Sequence, residues 1–288
     1  MSAVRDRAAR TSLPQPVRPR VLVVANQKGG VGKTTTAVNV AAAWAQAGLR
    51  VLVIDLDPQG NASTALGVDR TADFPSTYDV LLGQRPLGEV VRLVPGVPRL
   101  MCAPATLDLA GAEIELVPLA ERELRLRRAL AEYSFDGDLA FDFALLDCPP
   151  SLGLLTVNAL SAAHEVLIPI QCEYYALEGV TALAESVERV RRQLNPQLTI
   201  STVLLTMYDG RTRLAEQVAA EVRRHFGERV LRTVVSRSVR IAEAPSFGQT
   251  VLTYDPTSRG ARAYVEAARE IALRSVPGPV RTIARGDR

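Results

Sequence analysis

The sequence contains little lysine, little cysteine and no long apolar run. Only two of its 34 basic residues are lysines, Lys28 and Lys33, and the rest are arginines. Its three cysteines, Cys102, Cys148 and Cys172, lie far apart without a CxxC pair, which argues against a disulfide framework or a zinc site. No apolar stretch approaches the ~20 residues that span a bilayer, and the arginine-rich start lacks the apolar centre of a secretory signal. We therefore expect a cytoplasmic protein.

The composition is that of an ordinary globular protein. The chain has 288 residues, of which 47% are hydrophobic and 23% are charged, and its formal net charge is +3. A chain of this length buries roughly three quarters of its unfolded surface on folding. We expect a flexible basic tail over residues 1–19, one globular domain over residues 20–274 and a second flexible tail over residues 275–288.

Short apolar runs alternate with helical patterns along the expected domain. Such runs, without polar alternation, are typical of parallel strands covered on both faces. We predict strands at 21–25, 51–54, 143–146, 165–170 and 200–205. We predict helices near 34–47, 119–133, 154–162, 177–194, 213–226 and 261–274. The alternation predicts an α/β fold with a single doubly wound, mostly parallel sheet and helices on both faces.

Both lysines lie in a glycine-rich segment between the first predicted strand and the first predicted helix. The segment reads Lys28-Gly29-Gly30-Val31-Gly32-Lys33-Thr34-Thr35. A turn of this kind lets backbone N–H groups surround a phosphate at the positive end of the helix. Lys33 would reach the β- and γ-phosphates, and the Thr34 hydroxyl would ligate Mg²⁺. Gln27 stands where the usual pattern has its first glycine, so the match is to a variant of that pattern.

Carboxylates follow two of the other predicted strands. Asp147 comes directly after the strand at 143–146, where it can hold a Mg²⁺-bound water at the carboxyl edge of the sheet. Asp55 and Asp57 follow the strand at 51–54, and a carboxylate there can orient or polarise the water that attacks a γ-phosphate. Together with the glycine-rich segment, these aspartates predict a nucleotide-hydrolysing site.

The same segments resemble the ParA/Soj branch of the ParA/MinD ATPases. Residues 28–35 look like the deviant Walker A motif of that superfamily. Asp55-Leu56-Asp57-Pro58-Gln59-Gly60-Asn61 is similar to the next block of ParA and Soj proteins, and Leu146-Asp147-Cys148-Pro149-Pro150-Ser151-Leu152-Gly153 looks like their Walker B and switch II. A fourth block of the same branch resembles Pro169-Ile170-Gln171-Cys172-Glu173-Tyr174-Tyr175-Ala176-Leu177-Glu178-Gly179. The resemblance extends from about residue 21 to residue 272.

The resemblance implies a Mg²⁺-dependent ATPase that forms a sandwich dimer on binding ATP. It implies that Lys28 reaches the partner's nucleotide and that Gly29 allows the two subunits to approach closely. The implied ATP-binding residues are Lys28, Gly29, Gly30, Val31, Gly32, Lys33, Thr34, Thr35 and Met207. The implied catalytic residues are Lys28, Lys33 and Asp57. The implied metal ligands are Thr34, Asp57 and, through a water, Asp147.

Arginines are concentrated between residues 210 and 240. This segment has eight arginines and three glutamates, a local charge of 8 − 3 = +5 in a chain of +3. Its predicted helix carries an apolar stripe that we expect to face the core, formed by Leu214, Val218, Val222 and Phe226. Arg223 and Arg224 lie off that stripe, which allows them to face solvent. We expect a DNA-binding surface of Arg211, Arg240, Arg237 and Arg224, the first two because they match DNA-binding arginines of ParA/Soj proteins.

The resemblance further implies the partners of this ATPase. Its ATP-bound dimer would bind double-stranded DNA without sequence preference, which would associate it with the nucleoid. A ParB-type protein loaded on centromere-like DNA would stimulate hydrolysis, and repeated cycles would segregate a chromosome or a plasmid. The block 235–240 reads Val-Ser-Arg-Ser-Val-Arg where the family has Ile-Pro-Arg-Asn-Val-Arg. The departures at Ser236 and Ser238 affect the region near the adenine.

Three other functions share parts of this pattern. A ParA relative that positions another cargo over the nucleoid would have the same ATPase and DNA chemistry. A MinD-like membrane-cycling ATPase needs a C-terminal amphipathic helix, whereas residues 276–288 interleave three apolar residues with Pro, Gly and Arg. A nitrogenase-type reductase needs two cysteines per subunit for a shared iron–sulfur cluster, and only Cys148, next to Asp147, is suitably placed. We therefore expect no membrane contact and no cluster.

Overall fold

The computed structural model describes residues 13–71, 74–133, 140–174 and 178–274. Most of the tail expected over residues 1–19 and all of that over 275–288 lie outside these residues. The described residues form one eight-stranded sheet in the order β3-β4-β2-β5-β1-β6-β7-β8. The strands are β1 (Arg20–Val24), β2 (Val51–Asp55), β3 (Arg92–Leu93), β4 (Leu100–Ala103), β5 (Phe143–Asp147), β6 (Glu165–Gln171), β7 (Thr199–Tyr208) and β8 (Val230–Ser236). Only β3 pairs antiparallel, so the predicted α/β class and mostly parallel sheet are confirmed.

Helices connect these strands and cover both faces of the sheet. They are α1 (Lys33–Gln46), α2 (Asn61–Ala65), α3 (Thr77–Leu82), α4 (Leu87–Val90), α5 (Leu109–Glu115), α6 (Arg125–Glu132), α7 (Leu154–Ala162), α8 (Glu178–Gln193), α9 (Arg213–Phe226), α10 (Val239–Glu243), α11 (Val251–Tyr254) and α12 (Arg259–Leu273). One apolar core lies under α1 and α12, and a second lies under the helices from α3 to α9 on the opposite face. In the first core Trp44 stacks on Phe143 of β5 at a ring-centroid distance of 4.2 Å, and its indole N–H donates to the Ala268 carbonyl at 2.8 Å.

The register of the central strands brings their carboxyl ends to one edge of the sheet. Val24 of β1 and Asp55 of β2 both pair with Asp147 of β5. Because parallel strands all point the same way, the loops that follow β1, β2, β5, β6 and β7 meet at that edge. The fold thus brings together segments that are far apart in the sequence.

Two local predictions are wrong. The helix predicted near 119–133 begins only at Arg125, because the chain turns at Glu121 with a left-handed φ of +51°, which no helix accommodates. In α9, Leu214 is 44% exposed, and the buried positions are Ala215, Ala219, Val222 and Phe226. The expected stripe advances four residues a step, whereas the helix repeats every 3.6 residues, so its first member has rotated out of the core.

Candidate nucleotide-binding site

The glycine-rich segment forms the turn between β1 and α1. Gly30 and Gly32 have left-handed φ values of +74° and +88°, which glycine adopts without the steric cost of a Cβ, and Gly32 is the residue before the first turn of α1. A Cβ added at Gly29 or Gly30 would meet no described atom within 4 Å. The loop therefore presents an open face beside the positive end of a 14-residue helix, which is the arrangement that binds a phosphate.

Two side chains that the sequence analysis did not single out brace this loop. Asn26 accepts a hydrogen bond from the Lys28 backbone N–H at 3.0 Å, while its amide donates to the Pro169 carbonyl of β6 at 2.8 Å. Thr206, near the end of β7, donates its hydroxyl to the Val31 carbonyl at 2.8 Å. A polar residue directly after the apolar strand is the one available sequence signal for Asn26. The partner strands could be identified only from the fold.

The two lysines occupy different surroundings. Lys33 is buried, and its ammonium donates to the Lys28 carbonyl at 3.2 Å across the loop. Burial lowers the pKa of Lys33, and the nearby carboxylates of Asp147 and Asp57 oppose that effect. Lys28 is partly exposed and pairs with Glu173, with 3.3 Å between Lys28 Nζ and Glu173 Oε2. Lys33 therefore faces the aspartates, whereas Lys28 is held at the rim.

Thr34 and Asp147 form the group expected to hold a metal. The Thr34 hydroxyl donates to Asp147 Oδ2 at 2.7 Å. Asp147 is fully buried, and its Oδ1 has no hydrogen-bond partner among the described residues. Burial, with Asp55 as a second cause, raises the pKa of Asp147 well above its ordinary value. A hydroxyl and an unsatisfied carboxylate oxygen beside a phosphate loop fit Mg²⁺, which keeps several waters and takes few protein ligands.

Asp57 lies in the loop between β2 and α2. Its side chain is largely buried, and its Oδ1 accepts from the Gln59 backbone N–H at 3.0 Å. Asp55, two residues earlier, is fully buried at the end of β2 beside Asp147. Burial raises the pKa of Asp55 to about 6. The structure thus brings Lys33, Asp57 and Asp147 together, as the sequence predicts, and adds Asp55 behind them.

Met207 follows Thr206, which contacts the phosphate loop, and the departures at Ser236 and Ser238 lie at the neighbouring end of β8. Met207 has a left-handed φ of +49° next to Thr206, and β8 ends at Ser236. The Arg237 backbone N–H donates to the Tyr208 carbonyl at 3.3 Å, which closes this segment onto the end of β7. The placement is compatible with a base-binding region, and the role of Met207 stays a prediction.

The four arginines predicted to bind DNA are exposed, and each is paired with a carboxylate. Arg211 is 89% exposed and makes a two-point contact with Asp209, at 2.8 and 2.9 Å. The other pairs are Arg240 with Glu243 and Asp255, Arg237 with Glu173, and Arg224 with Glu221. All of these acidic partners except Glu221 lie outside the 210–240 segment. The net charge around these arginines in the folded protein is therefore lower than the net charge counted along that segment of the sequence.

The arginines do not all lie at the same edge of the sheet. Arg211 follows β7, and Arg237 and Arg240 follow β8, all at the carboxyl edge where the phosphate loop lies. Arg224 lies in the last turn of α9, which returns the chain to the opposite edge. A helix of 14 residues spans roughly 21 Å. Arg223 is half-buried, and its guanidinium donates to the Leu231 carbonyl at 3.1 Å.

The structure also bears on the alternative functions. All three cysteines are free and buried, and Cys148 belongs to the core, so the chain presents no surface cysteine for a shared cluster. None of the helices in the described part of the chain is long and apolar enough to cross a membrane. The C-terminal segment that a MinD-like protein would use lies outside the described residues.

Comparison with known proteins identifies the family. The model of an AAA domain family matches residues 19–200. The chain is 52% identical to the chromosome partitioning protein ParA of Caulobacter vibrioides, over 88% of this chain and 94% of that protein. It is 49% identical to the sporulation initiation inhibitor protein Soj of Bacillus subtilis, over 88% and 98% of the two chains.

A solved structure shares the fold at lower identity. It is a cobyrinic acid a,c-diamide synthase of Mycobacterium smegmatis with bound ADP and magnesium, 40% identical, with a TM-score of 0.76 over 88% of this chain and 94% of that one. Its name describes a different activity, but the ParA and Soj proteins named above are more similar in sequence and match as much of the chain. The chain belongs to the ParA/Soj family of chromosome-partitioning ATPases.

Proposed function

We propose that this protein is a Mg²⁺-dependent ATPase that dimerises on ATP, binds DNA without sequence preference and partitions chromosomal or plasmid DNA with a ParB-type partner. The observation that carries the proposal is the contact of Thr34 with Asp147 beside the open glycine loop and the buried Lys33. Each of these groups has the chemistry that a nucleoside triphosphate with its metal requires.

Different residues of the site are assigned to phosphate binding, to metal binding and to activation of the attacking water. The loop N–H groups and the Lys33 ammonium bind the phosphate oxygens and neutralise the charge that develops on them. Thr34 and, through a water, Asp147 would hold the metal, with Asp57 close by. When bound, Mg²⁺ would supply positive charge that offsets the charge of the phosphates. The Asp57 carboxylate orients the attacking water and accepts its proton. The buried, partly dry surroundings strengthen each of these interactions.

Dimerisation is assigned to Lys28 and Gly29. Lys28 is partly exposed at the rim of the site, where it pairs with Glu173 of its own chain. Because it is not enclosed, it can leave that carboxylate and bind a partner's nucleotide. The open side of Gly29 leaves room for a second subunit. Under this proposal the nucleotide joins two subunits, and its hydrolysis releases them.

DNA binding is assigned to arginines at the carboxyl edge. Arg211, Arg237 and Arg240 are exposed there and would exchange their carboxylate partners for DNA phosphates. A phosphate contact positions the protein but carries no base information, which accounts for the lack of sequence preference. The dimer would place two such sets on one duplex and associate with the nucleoid. A relative with another cargo would use the same chemistry, and a neighbouring ParB-like gene would favour DNA segregation.

Nucleotide binding to the purified full chain tests the proposal. We expect Mg·ATP to titrate calorimetrically to one site per chain in the wild type and to show no detectable binding to Lys33→Ala, which loses the charge on the phosphates. Lys28→Ala is the matched control, because it removes the other lysine of the same loop and should retain nucleotide binding while losing ATP-driven dimerisation. Equal binding by Lys33→Ala and the wild type would contradict the proposed site.

A further inference from the structure

The carboxylate of Asp55 lies behind the loop that carries Asp57. Its Oδ1 accepts from the Asp57 backbone N–H at 3.2 Å. Its Oδ2 accepts twice from Ser63, from the backbone N–H at 2.8 Å and from the hydroxyl at 2.7 Å. One fully buried side chain therefore binds both the start of the loop and the first turn of α2, where the loop ends.

A chain of hydrogen bonds extends this contact to β4. The Ser63 hydroxyl also accepts from the Ala105 backbone N–H at 3.1 Å, just beyond the end of β4. The Ala105 carbonyl in turn accepts from Arg70 Nε at 2.9 Å. The guanidinium of Arg70 reaches back to the Thr64 hydroxyl at 3.1 Å and covers Gly60, where an added Cβ would lie 2.2 Å from Arg70 Cζ. The loop is thus fixed on its buried side by Asp55 and on its outer side by Arg70.

The Asp55 carboxylate makes no hydrogen bond to the described phosphate-binding and metal-holding groups. The hydrogen bonds of Asp55 go to Asp57 and Ser63, whereas Lys33 contacts the Lys28 carbonyl and Thr34 contacts Asp147. Buried polar groups are costly unless they are paired, so a carboxylate with three donors is a specific structural arrangement. Its geometric effect is to set the position of the Asp57 backbone and with it the direction of the Asp57 side chain.

We propose that Asp55 is a positioning residue for ATP hydrolysis, which acts through Ser63 and the Asp57 backbone to aim the Asp57 carboxylate at the attacking water. The inference rests on the proposed function, since it assumes that Asp57 activates that water. It assigns Asp55 no contact with nucleotide, metal or water. A displacement of about 1 Å in a catalytic group costs on the order of 100-fold in rate, so the effect should appear in kcat and not in nucleotide affinity.

Two variants separate geometry from charge. Asp55→Asn preserves the shape but replaces one acceptor oxygen by an NH₂ group, so it cannot accept all three hydrogen bonds. We expect kcat to fall about 10- to 100-fold, with the KM for ATP within about threefold of the wild type. Ser63→Ala keeps the Asp55 carboxylate and removes only the hydroxyl link, and we expect a smaller loss in kcat, about three- to tenfold.

Thr77→Val is the matched control. Thr77 is buried in the same place, and its hydroxyl donates to the Asp55 backbone carbonyl at 2.8 Å, not to the carboxylate. It should lower thermal stability but leave kcat within about twofold of the wild type. A loss of kcat in all three variants that follows their loss of stability would reduce Asp55 to a structural role and overturn the inference.

The experiment measures steady-state phosphate release, ATP affinity, melting temperature and ATP-driven dimerisation for the full-length wild type, Asp57→Ala and these three variants. We expect Asp55→Asn to bind ATP and accumulate dimers as Asp57→Ala does. Normal kcat in Asp55→Asn beside an inactive Asp57→Ala would overturn the inference and leave the proposed function standing. A loss in Asp55→Asn with none in Ser63→Ala would trace the effect to the charge near Asp147 and also overturn it. A wild type that releases no phosphate would instead contradict the proposed function.

Discussion

Lys28 and Glu173 of the same chain form an ion pair, with 3.3 Å between Lys28 Nζ and Glu173 Oε2. The other oxygen of Glu173 faces Arg237 at 3.6 Å and accepts a hydrogen bond from the Gln171 amide. One carboxylate therefore holds the lysine that we assign to a partner's nucleotide and an arginine that we assign to DNA. Lys28 must leave this carboxylate before it can bind across a dimer.

We expect Glu173→Gln to strengthen ATP-driven dimerisation. The substitution removes the charge that holds Lys28 in its own subunit and keeps the shape of the side chain. Partly exposed ion pairs contribute roughly 0.2–1 kcal/mol each, and a dimer contains two of them, so its dissociation constant should fall by no more than about 30-fold. Sedimentation with a non-hydrolysable ATP analogue measures it. A weaker dimer would mean that Glu173 supports the dimeric state instead of competing with it.

DNA affinity should depend on the exposed arginines and on their acidic neighbours. Each phosphate contact contributes roughly −0.9 to the slope of log K against log salt. Losing one arginine per subunit, in Arg211→Ala or Arg240→Ala, should therefore flatten the slope by about two in a dimer. Arg224→Ala is the matched control at the opposite edge of the sheet and should leave the slope unchanged.

Removing the charge of Asp209, the acidic partner of Arg211, should have the opposite effect on DNA binding. Its two-point contact with Arg211 lowers the pKa of Asp209 to about 2, so it is ionised at neutral pH and competes with phosphate for the guanidinium. Asp209→Asn should tighten binding to two unrelated duplexes equally in a filter-binding salt series. Unchanged slopes for both Arg211→Ala and Arg240→Ala would move the DNA surface elsewhere.

The buried pair of Arg20 and Glu165 should be important for stability. Arg20 donates to both oxygens of Glu165, at 2.7 and 2.9 Å, and also to the Ile271 carbonyl at the end of α12. Glu165→Gln leaves the buried guanidinium without its counter-charge, which costs roughly 3–5 kcal/mol. Urea unfolding measures this loss. Arg85→Ala, which breaks the exposed Arg85–Glu89 pair, is the control and should cost less than about 0.5 kcal/mol.

His164 should make the protein less stable as the solution becomes acidic, whereas the raised pKa values of Asp55 and Asp147 act in the opposite direction. Nδ1 of His164 accepts from the Val21 backbone N–H at 3.1 Å, and burial lowers the pKa of His164. Below the ordinary histidine pKa of about 6.5, the unfolded chain binds more protons at this histidine than the folded chain, so its contribution to the free energy of unfolding decreases until the folded pKa is reached. His164→Asn keeps an acceptor oxygen and cannot titrate. Between pH 7 and pH 5 the free energy of unfolding of this variant should rise relative to that of the wild type, and a constant difference between the two proteins would contradict this origin.

The central part of the site could be predicted from sequence because its signals are local. A continuous apolar run marks β1, the glycines that follow need left-handed backbone, and Asp147 directly ends β5. Strand, turn and helix occur in consecutive order, so no distant contact had to be known. For the same reason the α/β class followed from the alternation of elements.

The remaining features depend on contacts between distant segments. Strands β4 and β8 were not predicted, and they are recognisable as strands mainly through their pairing with β2 and β7. The pairing of Lys28 with Glu173 joins residues 145 positions apart. The distinct roles proposed for Asp55 and Asp57 depend on the hydrogen bonds from Ser63 to the Asp55 carboxylate at the end of β2. Two aspartates separated by one residue in the sequence do not reveal that contact.

The most direct test of the central claim is the rate of phosphate release by the wild type and by Asp57→Ala, with dimerisation on ATP followed by light scattering in the same samples. We predict that the wild type hydrolyses ATP slowly and that its dimers dissociate as it does so. Asp57→Ala should bind ATP and remain dimeric while its phosphate release falls at least about 100-fold, as expected for the loss of a group that activates water. Phosphate release by Asp57→Ala at the wild-type rate would contradict the account.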